Sequence, residues 1–172
     1  MEEQRGPSIV AVAIKYGLIQ GVLWFVVFLV PILAGIKPSW VETAIDAAIL
    51  LVLMILAHRG FKRTRKGKLT YSQGLGSGTL LSSTAALVTC ILVYVYVRYI
   101  NAGYLAVVIQ AYRTGLQQRG MTGAQAAQAM AITSFLRTPV GIAVSVLVTW
   151  VVLGFIVALI VSIFTQKDPR AV

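Results

Sequence analysis

Long runs without a single charge dominate this chain. Uncharged residues fill positions 16–36, 69–97 and 138–166, and each run is closed at both ends by Lys or Arg. A helix rises about 1.5 Å per residue, so about 20 apolar residues cross a hydrocarbon layer of about 30 Å. All three runs are long enough. A fourth, 41–57, is shorter and carries Glu42 and Asp46, followed by the purely apolar AAILLVLMILA at 47–57. Counted from Ser39, with Glu42 at headgroup depth, it too is long enough. Leaving it out would place the basic segment that follows on the same side as Lys37. The pattern therefore predicts an all-α integral membrane bundle in one domain, 1–172, with transmembrane helices at about 14–36, 39–58, 73–97 and 139–164. The first run exceeds the apolar core of a signal peptide and no small-x-small cleavage site follows, so a retained helix is expected.

Between spans three and four the period changes. Leu105, Val108, Ile109, Tyr112 and Leu116 form a helical stripe, with Gln110, Arg113, Thr114, Gln117 and Gln118 on the other face. Gly120 stops it. Thr122 with Gln125 has capping-box spacing, which predicts a second helix from Gly123 to about Arg137. Thr138 and Pro139 suit the N-cap and first turn of span four. The segment 100–138 thus reads as an outer amphipathic helical hairpin, on the membrane surface or folded over the bundle. Its Gln-rich face suits either a protein contact or plain solvation.

Charge then supplies an orientation. The chain has 15 Lys and Arg against 5 Asp and Glu, a formal net charge of +10. Arg59, Lys62, Arg63, Arg65, Lys66 and Lys68 lie in the inner loop 58–69, which contains no acid. Basic residues favour the cytoplasmic side, which puts both termini inside as well. Anionic lipid headgroups at the inner leaflet are the expected partner of this loop, and nucleic acid is not. Trp40, the cluster Tyr94, Tyr96 and Tyr99, and Tyr16 and Tyr71 fall where interfacial anchors belong. With 58% hydrophobic and 12% charged residues, the composition excludes disorder and disfavours a soluble domain.

Few residues offer chemistry. Glu42 and Asp46 lie one turn apart on one face of span two, a candidate ion or proton site. The alternative is structural: carboxylates favour a helix N-terminus, and Lys37, Arg98 or Arg137 could pair with them. His58, the one histidine, sits where a basic group complements the C-terminal end of span two. Cys90, the one cysteine, reads as a packing residue. Neither pattern calls for a metal or a cofactor. Ser82, Ser83 and Thr84 have no acid or His in their span, and no Walker loop, dinucleotide fingerprint or HExxH occurs. Gly74, Gly78, Ser82, Ala86 and Cys90 recur every fourth residue, a small-residue face for close helix packing. It serves either packing within the chain or contact with another subunit or a cofactor tail.

The segments KYGLIQG at 15–21 and FKRTRKGKLTYSQGLGSGTL at 61–80, with the long outer segment before the last span, resemble the bacterial four-span family called domain of unknown function forty-one ninety-nine. GKLTYSQGLGSGTL is the most specific part. The resemblance implies a compact bacterial inner-membrane protein with no established activity and no catalytic residues to carry over. Such proteins often carry acids in the inner loop and outer segment, whereas here none occurs between Asp46 and Asp168. Two roles are expected. One is a non-enzymatic accessory or structural subunit that meets other membrane subunits through the face on span three and the outer hairpin. The other is a small cation or proton transporter or channel using Glu42 and Asp46.

Overall fold

The computed structural model describes residues 8–35, 40–64, 69–121 and 123–166, with Arg63 and Thr64 by backbone alone. Six α-helices follow in order: α1 (Ile9–Ala34), α2 (Trp40–Thr64), α3 (Tyr71–Val95), α4 (Tyr104–Gln118), α5 (Gly123–Ile132) and α6 (Pro139–Thr165). A π-helical turn, Tyr96–Ile100, extends α3, and a 3-10 turn, Phe135–Arg137, precedes α6. No strand element occurs among the described residues. Four helices are long and apolar enough to cross a membrane: α1, α2 over Trp40–Lys62, α3 with its π turn, and α6. Their exposed faces agree. α1 presents Val10, Ile14, Leu18, Val22, Val26 and Val30 at four-residue spacing, an aliphatic surface suited to lipid rather than water.

Local chemistry sets the helix ends. Ser8 caps α1, its hydroxyl accepting from the Ala11 N–H at 3.1 Å. Thr70 and Gln73 form a reciprocal capping box for α3: the Gln73 N–H donates to the Thr70 hydroxyl and the Thr70 N–H to the Gln73 side-chain carbonyl. Gly120, at φ +74°, ends α4, with the Met121 N–H returning to the Leu116 carbonyl. Thr138 caps α6 through the Gly141 N–H at 2.9 Å, and Pro139 opens the helix. Thr122 lies outside the described residues.

Two expected boundaries need correction. α2 does not stop at His58 but continues to Thr64, so the basic segment begins as helix rather than loop. His58 turns inward and leaves the helix backbone uninterrupted. α5 ends at Ile132 rather than near Arg137. There the Thr133 hydroxyl donates back to Ala129 O, while Thr138 occupies Phe135 O through both its N–H and its hydroxyl. Hydroxyl residues that compete for backbone partners favour such ends.

The chain divides into two compact units, 1–89 with 147–172, and 90–146. In the first, α3 and α6 run antiparallel in close register. A Cβ on Gly74 would meet Ser162 Oγ at 3.0 Å, one on Gly78 would meet Ala158 Cβ at 2.8 Å, and one on Gly154 would collide with the Ser82 side chain. On the other side α2 follows the same steps, with His58 beside Gly74 and Met54 beside Gly78. α1 runs parallel to α3, with Gly17 against Leu81 and Thr84 and Gly21 against Ala85 and Val88. The Thr89 hydroxyl donates to Gly21 O at 3.0 Å. Trp24 stacks on Trp150 with centroids 4.1 Å apart, and its Nε1–H donates to Asp46 O.

In the second unit, the predicted stripe of α4 is its less accessible face: Leu116 is buried and Leu105, Val108, Ile109 and Tyr112 are half-buried. α5 buries no residue. Arg137 donates to the Met130 carbonyl and lies over the Tyr112 ring. The anchor cluster is internally joined, Tyr94 edge-on to Tyr99, Arg98 over Tyr99, and the Asn101 amide donating to the Tyr96 hydroxyl.

Candidate functional site

The first unit concentrates polar groups on the inward face of α2. Glu42, Asp46, Leu50, Met54 and His58 follow at four-residue steps, and their burial rises from half-buried Glu42 and Asp46 to the buried remainder. The face therefore carries two acids near Trp40, an apolar middle and an imidazole toward Thr64. Asp46 is held by its backbone, since Trp24 Nε1–H donates to its carbonyl oxygen at 3.2 Å. Its carboxylate Oδ1 is buried with no hydrogen-bond partner. A carboxylate buried without a partner is costly as an anion, which favours a bound proton or cation beside it.

Gln20 on α1 adds to this interior. Its side chain is 0% exposed, and neither amide atom has a hydrogen-bond partner. It sits one turn from Trp24, between Gly17 and Gly21, where α1 presses on α3. Thr79 Oγ1 and Ser162 Oγ are likewise buried without partners. An unpaired buried amide or hydroxyl costs roughly 1–3 kcal/mol.

His58 differs from its expected place. It is 1% exposed and joins three helices, with Nε2 at 3.1 Å from Gly74 O on α3 and Nδ1 at 2.8 Å from Thr165 Oγ1 on α6. Both ring nitrogens are engaged. It does not complement the end of α2, because α2 continues beyond it.

The small-residue face of α3 is used within the chain for at least three of its members, Gly74, Gly78 and Ser82, against Ser162, Ala158 and Gly154. Ala86 is fully buried in the first unit, and Cys90 is half-buried in the second. Of the basic residues, Arg59 is exposed and Lys62 half-buried on α2, while the Arg63 side chain, Arg65, Lys66 and Lys68 lie outside the described residues, as does Lys37. A cleft of about 300 Å³ opens beside Gly60, lined by Ala11, Val12, Lys15 and Tyr16. Among the described residues no three His, Cys, Asp or Glu side chains are placed to hold a metal ion together.

Five contributors were not evident in the sequence. Gln20 is the one amide in the first uncharged run, and that was its signal. Gly154, Ala158 and Ser162 repeat the four-residue spacing of their partners on α3, but in a span of such apolarity they pass for filler. Thr165 had no signal at all, because only packing brings it to His58. Residues 15–167 match a family model described as a protein of unknown function. No curated protein and no solved structure matches the chain.

Proposed function

The chain belongs to the DUF4199 family of proteins of unknown function, and from that premise we propose that it is a non-enzymatic, multi-pass membrane protein that passes a proton or small cation through its first unit. One observation carries this: the interior of that unit keeps an unpartnered carboxylate oxygen, at Asp46, and an unpartnered amide, at Gln20. Ionisable groups kept inside a membrane protein despite their cost mark ion and proton paths. Glu42 and Asp46 form the entry, one turn apart, and Gln20 is the polar step inward. On the orientation favoured by the basic residues, the acids open to the outside of a bacterial inner membrane and both termini are cytoplasmic. Arg59 and Lys62 then meet anionic headgroups.

Purified protein in liposomes with an internal pH dye tests this. Wild type dissipates an imposed proton gradient, while Glu42→Gln with Asp46→Asn, and separately Gln20→Leu, reduce the rate at least about tenfold, a barrier change of about 1.4 kcal/mol. Unchanged flux in the double variant, with a matching cation gradient also unaffected, rejects the reading.

A second reading, an accessory subunit, keeps one supporting observation. α5 buries no residue, and Ile132 at its end and Phe135 just beyond it are exposed. The small-residue face no longer supports that reading at Gly74, Gly78 and Ser82, which are covered by α6. A flux-silent wild type that leaves mild detergent with other membrane chains would favour it.

A further inference from the structure

The imidazole of His58 carries an inference that does not depend on ion passage. Gly74 O is a carbonyl oxygen and can only accept, so Nε2, 3.1 Å away, bears a hydrogen and donates. In the neutral ring Nδ1 then has a lone pair, and the Thr165 hydroxyl donates to it at 2.8 Å. That hydroxyl has a second acceptor in reach, Val161 O, also at 2.8 Å. When a proton binds Nδ1, the new N–H donates to Thr165 Oγ1 and the hydroxyl hydrogen turns to Val161 O. One proton is gained, none is displaced, and no hydrogen bond of the ring is lost. Bonds from a charged donor are shorter and stronger than neutral ones, which offsets part of the cost of a buried cation.

A second observation points the same way. Ser162 Oγ is buried and unpartnered, and it crowds the same edge of Gly74 as the ring: a Cβ there would lie 3.0 Å from Ser162 Oγ and 3.6 Å from His58 Cε1. A hydroxyl dipole free to turn stabilises a cation beside it. The described charged groups near the ring are basic, and Arg59 follows it directly on α2. Lys62 stands one turn along α2, Lys15 and Tyr16 of α1 line the cleft at Gly60, Tyr71 opens α3, and α6 carries no ionisable side chain. The carboxyls of Glu42 and Asp46 lie at the far end of α2, Asp46 about 18 Å along the helix by its rise per residue. Among the described residues of these elements, no acid stands near enough to fix the ring as half of an ion pair.

We infer that His58 is a reversible proton-binding site, entered from the Thr165 side, that couples the joint of α2, α3 and α6 to pH. The proton enters and leaves at Nδ1, because Nε2 faces a carbonyl that cannot pass it on. Protonation reverses the hydrogen bond between Nδ1 and Thr165 and leaves both ring contacts in place.

The chain has a single histidine, so every imidazole signal from ¹⁵N-histidine-labelled protein in lipid bilayers belongs to His58. At alkaline pH the spectrum shows the Nε2–H tautomer with a hydrogen-bonded Nδ1. As the pH is lowered it converts to the doubly protonated ring. Thr165→Ser keeps both states. Thr165→Val, which can neither donate nor accept, moves the alkaline Nδ1 signal to that of a nitrogen without a hydrogen bond. An Nδ1–H tautomer, a ring that stays neutral down to the lowest pH at which the protein remains folded, or a valine variant indistinguishable from serine each overturns the inference. Flux plays no part in these signals, so failure of the transport reading and failure of this one are separately visible.

Discussion

Gly76 and Gly78 stand two residues apart on one helix and differ entirely in what surrounds them. A Cβ on Gly76 meets nothing within 4 Å, whereas one on Gly78 meets Ala158 Cβ at 2.8 Å and Met54 Sδ at 3.2 Å. Gly76→Ala therefore stabilises by up to about 1 kcal/mol through helix propensity alone. Gly78→Leu loses about 1–3 kcal/mol by forcing three helices apart. Unfolding midpoints in detergent titrations check both, and equal effects would mean that Gly78 is not pressed between α2 and α6. The repeat at 74, 78 and 82 was legible in the sequence, since small side chains at helical spacing have one main use in a membrane. The role of Gln20 was not, because an amide in an apolar run says nothing of whether a partner awaits it. Glu42 and Asp46 were legible as a pair, but the unpaired Asp46 oxygen depends on what α1 brings beside it.

Among the elements, α3 carries the closest helix approaches of the first unit, to α1 at Gly17 and Gly21 and to α6 at Gly154. Its contacts with α6 form a ladder in which a small residue on one helix faces one on the other, and Gly154 against Ser82 is its tightest rung. Gly154→Ala forces a Cβ into the Ser82 side chain and loses about 1–3 kcal/mol. Adding Ser82→Gly clears the space and recovers most of it. A double-mutant cycle in thermal unfolding measures the coupling, and additive losses would mean that the two helices are not in this register. Local ends were easier to read than packing. Ser, Thr and Gly act on their own backbone neighbourhood, which is why Gly120 and Thr138 end and begin helices where their chemistry suggested. The Thr70–Gln73 box has the same short-range origin. α5 departed from its pattern because Thr133 and the turn before Thr138 draw the backbone out of the helix, a competition that apolar periodicity does not register.

For the whole molecule, the uneven basic charge predicts a sidedness that labelling can test. In a Cys90→Ser background, Arg119→Cys reacts with an impermeant thiol reagent applied to the outside of intact cells, and Arg59→Cys reacts only after the membrane is opened. The reverse pattern would invert the proposed orientation and move the acids to the cytoplasmic face. Spans and fold class were available from the sequence alone because a bilayer imposes its demand residue by residue: about 20 apolar positions in a row satisfy it without reference to any neighbour. Helix caps followed for the same reason, as they act over three or four residues. Which helix meets which, and therefore what is buried, was decided only by the tertiary structure. In lipid every span is apolar on all sides, so hydrophobic pattern marks no inward face, and van der Waals fit between small residues chooses it instead. That choice turned His58 from a helix-end charge into a buried joint with Gly74 and Thr165, left Gln20 without a partner, and enclosed Gly74, Gly78 and Ser82 within the chain.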